Sequence, residues 1–229
     1  LFPYTTLFRS KDNEGGLWIT TYFGGINYSN PNSSNFTIRH CATESARGRI
    51  ISKFHEDKNG DIFIGTDDGG LFIYNPIKDK CHRYTIDKSN PNLNIHAIWS
   101  NDTYLWIGTY SKGLYRINHK TKYVEHIPYF EKDGITNESI YSIHEDLSGK
   151  IWIGTKTAIW TWTKKHGFIK EKELGYNSDI IAICEDLKGS IWFASLNKGI
   201  LKYTPTTHNI THISKGSNGI KIPNEITSM

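Results

Sequence analysis

An aspartate recurs six positions ahead of an aromatic residue in this chain: Asp12 before Trp18, Asp57 before Phe63, Asp146 before Trp152 and Asp186 before Trp192. Carboxylates at a fixed spacing could bind calcium or work as acid and base. A catalytic pair is a unique constellation, however, and a residue that returns in unit after unit serves the unit. The recurrent aspartate is therefore expected to hydrogen-bond the backbone of its own turn. His55 and His144 share one position of the unit with Trp99 and Cys184, a mixture that reads as packing between neighbouring sheets. No HExxH, no pair of close histidines with a carboxylate and no Ser-His-Asp arrangement stands out. No catalytic residue, metal ligand or cofactor is expected.

The elements that carry these residues are set by one phrase. It is cleanest at Ile151-Trp152-Ile153-Gly154-Thr155 and returns at residues 17–21, 62–66, 105–109 and 191–195, with its aromatic at positions 18, 63, 106, 152 and 192. A period of this size points to a repeat architecture. Each phrase is an apolar run ending in small residues, the pattern of a strand buried on both faces. An apolar strand precedes it at 50–55, 95–99, 140–144 and 180–184. A glycine-containing turn separates the two, acidic in Glu56-Asp57-Lys58-Asn59-Gly60, and glycine there supplies the positive φ of a tight hairpin. A third strand follows at 26–28, 71–74, 114–117, 159–162 and 200–203, then a more polar fourth at 81–86 and 123–127.

Four short antiparallel strands per unit make the blade of a β-propeller. The units are 11–40, 50–86, 95–127, 140–171 and 180–213, with the start of another at 225–229. The fold class is all-β, about five blades of a ring expected to count seven. Because the chain starts and stops inside a blade, it reads as a piece of a larger ring. Residues 1–10 stand outside the repeat, resemble the read-through translation of a sequencing-library adapter, and are excluded from the fold as a non-native scar.

Composition agrees. The 229 residues include 27 basic and 23 acidic side chains, and this charge is too small and too scattered for a nucleic-acid footprint. No run reaches the about 20 apolar residues of a membrane helix. The three cysteines, Cys41, Cys81 and Cys184, show no metal spacing, and their odd number excludes a complete set of internal disulfides. Buried or half-buried free thiols are the expectation.

The turns after the phrase differ from unit to unit, and in a propeller they ring one mouth of the channel. They offer Tyr22, Asp67, Asp68, Tyr110, Lys112, Lys156, Asn197 and Lys198. Aromatic, acidic, amide and basic groups together suit an oligosaccharide or another polar ligand. Simple variety among surface loops accounts for the same pattern. The connections 87–94, 128–139 and 215–224 are expected to open on that face. Trp160 and Trp162 stand where other units have Phe72 and Tyr74, which favours packing over a sugar platform.

The unit Ile-x-x-Ile-x-Glu-Asp-x-x-Gly-x-(Leu/Ile)-Trp-Ile-Gly-Thr, followed by Gly-Leu-x-x-Tyr-x-Pro, resembles the two-component regulator propeller repeat. The likeness covers residues 11–229 and is most specific at 140–155 and 180–195. Departures are Asn101-Asp102 in a shortened turn, Lys156-Thr157-Ala158 in place of the second glycine, and Ala194-Ser195 for Gly-Thr. The resemblance implies the periplasmic sensor half of a hybrid two-component system of gut Bacteroidetes. It implies two propellers, an immunoglobulin-like domain, a membrane helix, a histidine kinase and a homodimer, with a polysaccharide breakdown product as ligand. The reading is a non-catalytic sensor. The alternatives are a scaffold propeller that binds only protein, and a piece of a propeller-fold lyase or hydrolase.

Overall fold

The computed structural model describes residues 6–13, 15–21, 25–30, 36–39, 41, 50–127, 138–175 and 178–214. Tyr22, the 225–229 segment and the connections 128–137 and 215–224 lie outside the described residues. Five four-stranded sheets follow one another, each a meander in chain order. The first holds β1 (Thr6–Lys11), β2 (Leu17–Thr21), β3 (Gly25–Ser29) and β4 (Phe36–Arg39). The second holds β5 (Ile51–Glu56), β6 (Ile62–Thr66), β7 (Leu71–Asn75) and β8 (Lys80–Tyr84). The third holds β9 (Ile95–Ser100), β10 (Tyr104–Thr109), β11 (Leu114–Asn118) and β12 (Val124–Ile127). The fourth holds β13 (Ile140–Glu145), β14 (Ile151–Thr155), β15 (Ile159–Thr163) and β16 (Gly167–Lys170). The fifth holds β17 (Ile180–Glu185), β18 (Ile191–Ser195), β19 (Gly199–Thr204) and β20 (Asn209–Ile213). These are the propeller blades that the repeat predicts.

Each blade grades from dry to wet. The phrase strands β6 and β14 are buried along their whole length, whereas β8 and β20 are largely exposed. The gradient follows from strands buried on both faces near the inner edge and an outermost strand that meets solvent. The innermost pair of a blade carries a register shift at the same place in the first, second, fourth and fifth sheets. A bulge there adds local twist to the strand.

The chain divides into two compact units, Leu1–Ile107 with Tyr115–Glu125, and Gly108–Leu114 with His126–Met229. In the first, Trp18 and Ile26 pack on Ile62, Ile64 and Tyr74, and Phe63 and Leu71 pack on Ile98, Leu105 and Ile117. In the second, Trp152 and Ile159 pack on Ile191, Phe193 and Leu201, joined by Leu174 from a short 3-10 turn. Burying a side chain of this kind contributes about 1.5–3 kcal/mol. The glycine of the phrase has a packing role that the pattern does not reveal. A Cβ on Gly154 would stand 2.6 Å from the Ile180 carbonyl oxygen, so the next sheet approaches this backbone directly.

The first sheet is completed by residues that lie outside the repeat: Thr6–Lys11, most of it within the 1–10 segment excluded from the fold, forms β1 and pairs antiparallel with β2. The phrase strand of a blade needs a partner on its inner edge, and the segment immediately before the first Asp turn supplies one. The cysteines also differ from expectation: Cys41 and Cys81 form a disulfide, with Cα atoms 5.2 Å apart. Cys81 lies in the outermost strand β8 and Cys41 just past the end of the outermost strand β4 of the preceding blade, so the two meet only when these blades stack. An odd count left this pair open, and only Cys184 is free, on an exposed stretch of β17.

Candidate functional site

The recurrent aspartate has a double structural task. Asp146 Oδ1 accepts the N–H groups of Ser148 (2.9 Å) and Lys150 (3.0 Å), closing its turn, and Oδ2 accepts the Trp152 indole N–H at 2.7 Å. Asp186 does the same for Lys188, Ser190 and Trp192, and Asp12 bonds Gly16 N–H and the Trp18 indole. Burial opposes ionisation of Asp146, but the donors of Ser148, Trp152 and Lys150 together outweigh it and hold the carboxyl below its ordinary range. At Asp186 the indole is the largest cause, and the pKa falls to about 2. These carboxylates are saturated with local donors and are tied to the fold.

The two histidines of the strand pattern lie in the packing. His55 Nε2 accepts the Ser100 N–H of the next sheet at 3.1 Å, and its ring lies 5.1 Å from Trp99. Burial lowers its pKa to about 4. His144 is lowered too, again by burial first. Trp160 is buried beneath Lys170 Nζ, 5.6 Å from its ring centre, which is a packing role. Among the described residues no group of three or more His, Cys, Asp or Glu side chains is placed to hold a metal ion.

The variable turns are at the far end of the phrase strands from the aspartates. In the first unit, Asp67 N–H bonds the Ile50 carbonyl and its carboxylate lies 3.4 Å from His96 Nε2, while Asp68 is half-buried in the same turn. A Cβ on Gly70 would stand 2.6 Å from the Pro91 carbonyl, so the 87–94 connection opens beside this turn as expected.

In the second unit the three turns are held by short segments just ahead of the inner strands, the first of them the end of the 128–139 connection expected on this face. Glu138 and Ser139 precede β13. The Glu138 carbonyl accepts Gly113 N–H, Ser139 Oγ accepts Ser111 N–H, and the Ser139 carbonyl accepts Lys156 N–H. The Glu138 carboxylate takes the hydroxyls of Thr155 (2.5 Å) and Thr157 (3.0 Å). The turns bearing Tyr110, Lys112 and Lys156 are thereby held to one short segment. Ser178 and Asp179 play the same part for the third turn: the Ser178 hydroxyl donates to Asn197 Oδ1 at 2.7 Å, and Leu196 N–H donates to Asp179 O.

Tyr141 joins the two groups. Burial raises its phenol pKa, the Asp179 carboxylate and Tyr110 raise it further, and a hydrogen bond with Ser139 opposes them. Tyr110 is 46% exposed, and Lys156, Asn197 and Lys198 are exposed as well. The result is a rigid backbone frame presenting an aromatic face, three ammonium groups and an amide to solvent. Such a set can stack on a ring and hydrogen-bond or pair with polar substituents. Nothing in it forms a nucleophile–base pair. The signal for Glu138, Ser139 and Tyr141 was their position at the entry to an inner strand, hidden by the apolar run that follows.

No family model matches the chain. A histidine kinase of Formosa agariphila is 26% identical over 138 residues, which is 58% of this chain and 10% of that protein. Among solved structures, the extracellular domain of a hybrid two-component system from B. thetaiotaomicron matches 98% of this chain and 37% of its own, at 20% identity and a TM-score of 0.60. Virginiamycin B lyase from Staphylococcus aureus matches 93% of this chain and 71% of its own, at 15% identity and a TM-score of 0.72. The chain thus spans a tenth of the curated relative and little over a third of the sensor domain. The resemblance read from the repeat is met in both kinds of comparison: in sequence the chain is similar to a histidine kinase, and in fold to the extracellular domain of a hybrid two-component system.

Proposed function

We propose that this chain is part of a non-catalytic sensor propeller in the extracytoplasmic half of a bacterial hybrid two-component system. It binds an oligosaccharide released from a polysaccharide and relays occupancy to a histidine kinase. The single observation that supports this most is the repeat itself, a signalling-propeller unit whose recurrent carboxylates are committed to their own turns and, at Asp12, Asp146 and Asp186, to an indole as well. The ligand face is the set of turns after the phrase strands in the second unit, with Tyr110, Lys112, Lys156, Asn197 and Lys198; the turn bearing Asp67 and Asp68 is a separate candidate within the first unit. The disulfide supports an oxidising, extracytoplasmic setting, since such bonds are rare in the cytosol. Likeness to the lyase is one of fold, and function resides in sites rather than folds.

Signalling requires the ligand to prefer one of two arrangements of the whole protein, and it can shift their balance only by that difference in affinity. A second propeller, an immunoglobulin-like domain and a second protomer supply those arrangements. Extending the source reading frame in both directions tests the placement. A signal peptide upstream with a membrane helix and histidine kinase downstream supports it. A stop codon soon after ring closure refutes it.

A further inference from the structure

The clamp between aspartate and indole is complete in the first, fourth and fifth sheets and broken in the second. There Phe63 replaces the tryptophan, and Asp57 Oδ2 accepts instead from the Asn59 side-chain amide, 3.1 Å away at the surface. The residue that faces it is reduced as well. Trp18 meets Tyr74 of the next sheet at 6.3 Å, and Trp152 meets Tyr203 at 5.9 Å. Tyr74 and Tyr203 each stand eleven residues after the key aromatic of their own sheet, and the equivalent position in the third sheet is Ile117. An indole against a phenol has become a phenyl against a branched aliphatic. Within the first unit, a cavity of about 320 Å³ occupies the junction of the second and third sheets; Phe63, Tyr84, Leu105 and Ile117 belong to its apolar lining, and most of the lining residues are polar, with Lys58 and Asp102 among them. Asp57 and Asp61 belong to the polar lining.

In the first, fourth and fifth sheets this place holds an apolar ring whose N–H donates to the turn aspartate at 2.7–2.9 Å. We propose that the cavity binds a small planar aromatic compound with a ring N–H or O–H donor, which restores the missing indole and bonds Asp57 Oδ2. The volume lies at the lower end of small-molecule sites, about 300–1,000 Å³, and suits one fused bicyclic ring rather than a glycan chain. The apolar part of the lining takes the ring faces, and the carboxylate fixes the orientation of the donor. The cavity lies at the Asp57 end of β6, whereas the Asp67–Asp68 turn is at the other end, so this ligand and the oligosaccharide have separate places.

Saturation-transfer NMR with indole and 1-methylindole on the full chain tests the assignment. Indole gives saturable binding, 1-methylindole binds at least tenfold more weakly because it has no N–H to donate, and Phe63→Trp abolishes binding by filling the space. Ile117→Tyr fills the same space from the opposite wall and serves if Phe63→Trp does not fold, as judged by circular dichroism. Absence of saturable indole binding overturns the proposal. So does binding that persists undiminished in the folded cavity-filling variant, or equal affinity for the two probes.

Discussion

Replacing Asp146 with alanine separates the two tasks of the turn aspartate. The substitution removes acceptors for two backbone N–H groups and the Ser148 hydroxyl, and it strands the indole N–H of Trp152, a side chain only 1% exposed. The turn N–H groups lie near water and are partly resolvated. The indole is not, and losing a hydrogen bond to a charged partner costs about 1.5–3 kcal/mol. Asp57→Ala is the internal control, because Asp57 also accepts two turn N–H groups (2.8 and 3.0 Å) but faces Phe63 in place of an indole. The expected losses are about 3–4 kcal/mol for Asp146→Ala and about 1–2 for Asp57→Ala. At roughly 2–4 °C per kcal/mol for a chain of this size, the melting temperatures separate by about 4–8 °C. Thermal melts and urea titrations of both variants measure the gap. A double-mutant cycle with Trp152→Phe should return about 2 kcal/mol of coupling to Asp146. Equal losses in the two variants, or a coupling under about 0.5 kcal/mol, would refute the reasoning.

Other outcomes follow from the same geometry. Reducing Cys41–Cys81 releases a loop of 40 residues and should cost up to about 4 kcal/mol, seen as a lower melting temperature with reductant; an unchanged melt contradicts it. His55 binds fewer protons folded than unfolded between pH 6.5 and about 4, so its contribution is intact above 6.5 and is lost as pH falls through that window. The drop amounts to about 3 kcal/mol at most, and His55→Gln, which keeps an acceptor for Ser100 N–H, should flatten stability measured at pH 7 and 4.5. Gly154→Ala pushes a methyl toward the Ile180 carbonyl and should destabilise by about 1–3 kcal/mol in a denaturant titration.

The blades were legible because one phrase repeats and its glycine turns fix hairpins, so strands such as Ile95–Ser100 and Leu71–Asn75 fall within a residue of the pattern. The aspartate was legible as a turn former, but its indole bond was not, since a spacing of six along the chain becomes a contact only when β13 and β14 place Asp146 beside Trp152. The disulfide escaped because its partners meet only when two blades stack. The strand β1 escaped because Thr6–Ser10 carries no trace of the repeat, whereas strand pairing runs through the backbone whatever the side chains. Among the candidate residues, Tyr110, Lys112, Lys156, Asn197 and Lys198 do stand on turns of one compact unit; the 128–139 connection was legible as part of that face, but the bonds of Glu138 and Ser139 to Gly113 and Ser111 were not, because they form only when neighbouring blades meet. Tyr22 lies outside the described residues.

Glycan binding by the turns after the phrase strands is tested by calorimetric titration of the complete extracytoplasmic domain with a panel of oligosaccharides, wild type beside Tyr110→Ala and Lys112→Ala. The expected result is saturable binding of one glycan class, weakened at least tenfold in each variant, on the order of 1.4 kcal/mol. Absence of binding across the panel, or binding that both variants leave unchanged, would contradict it.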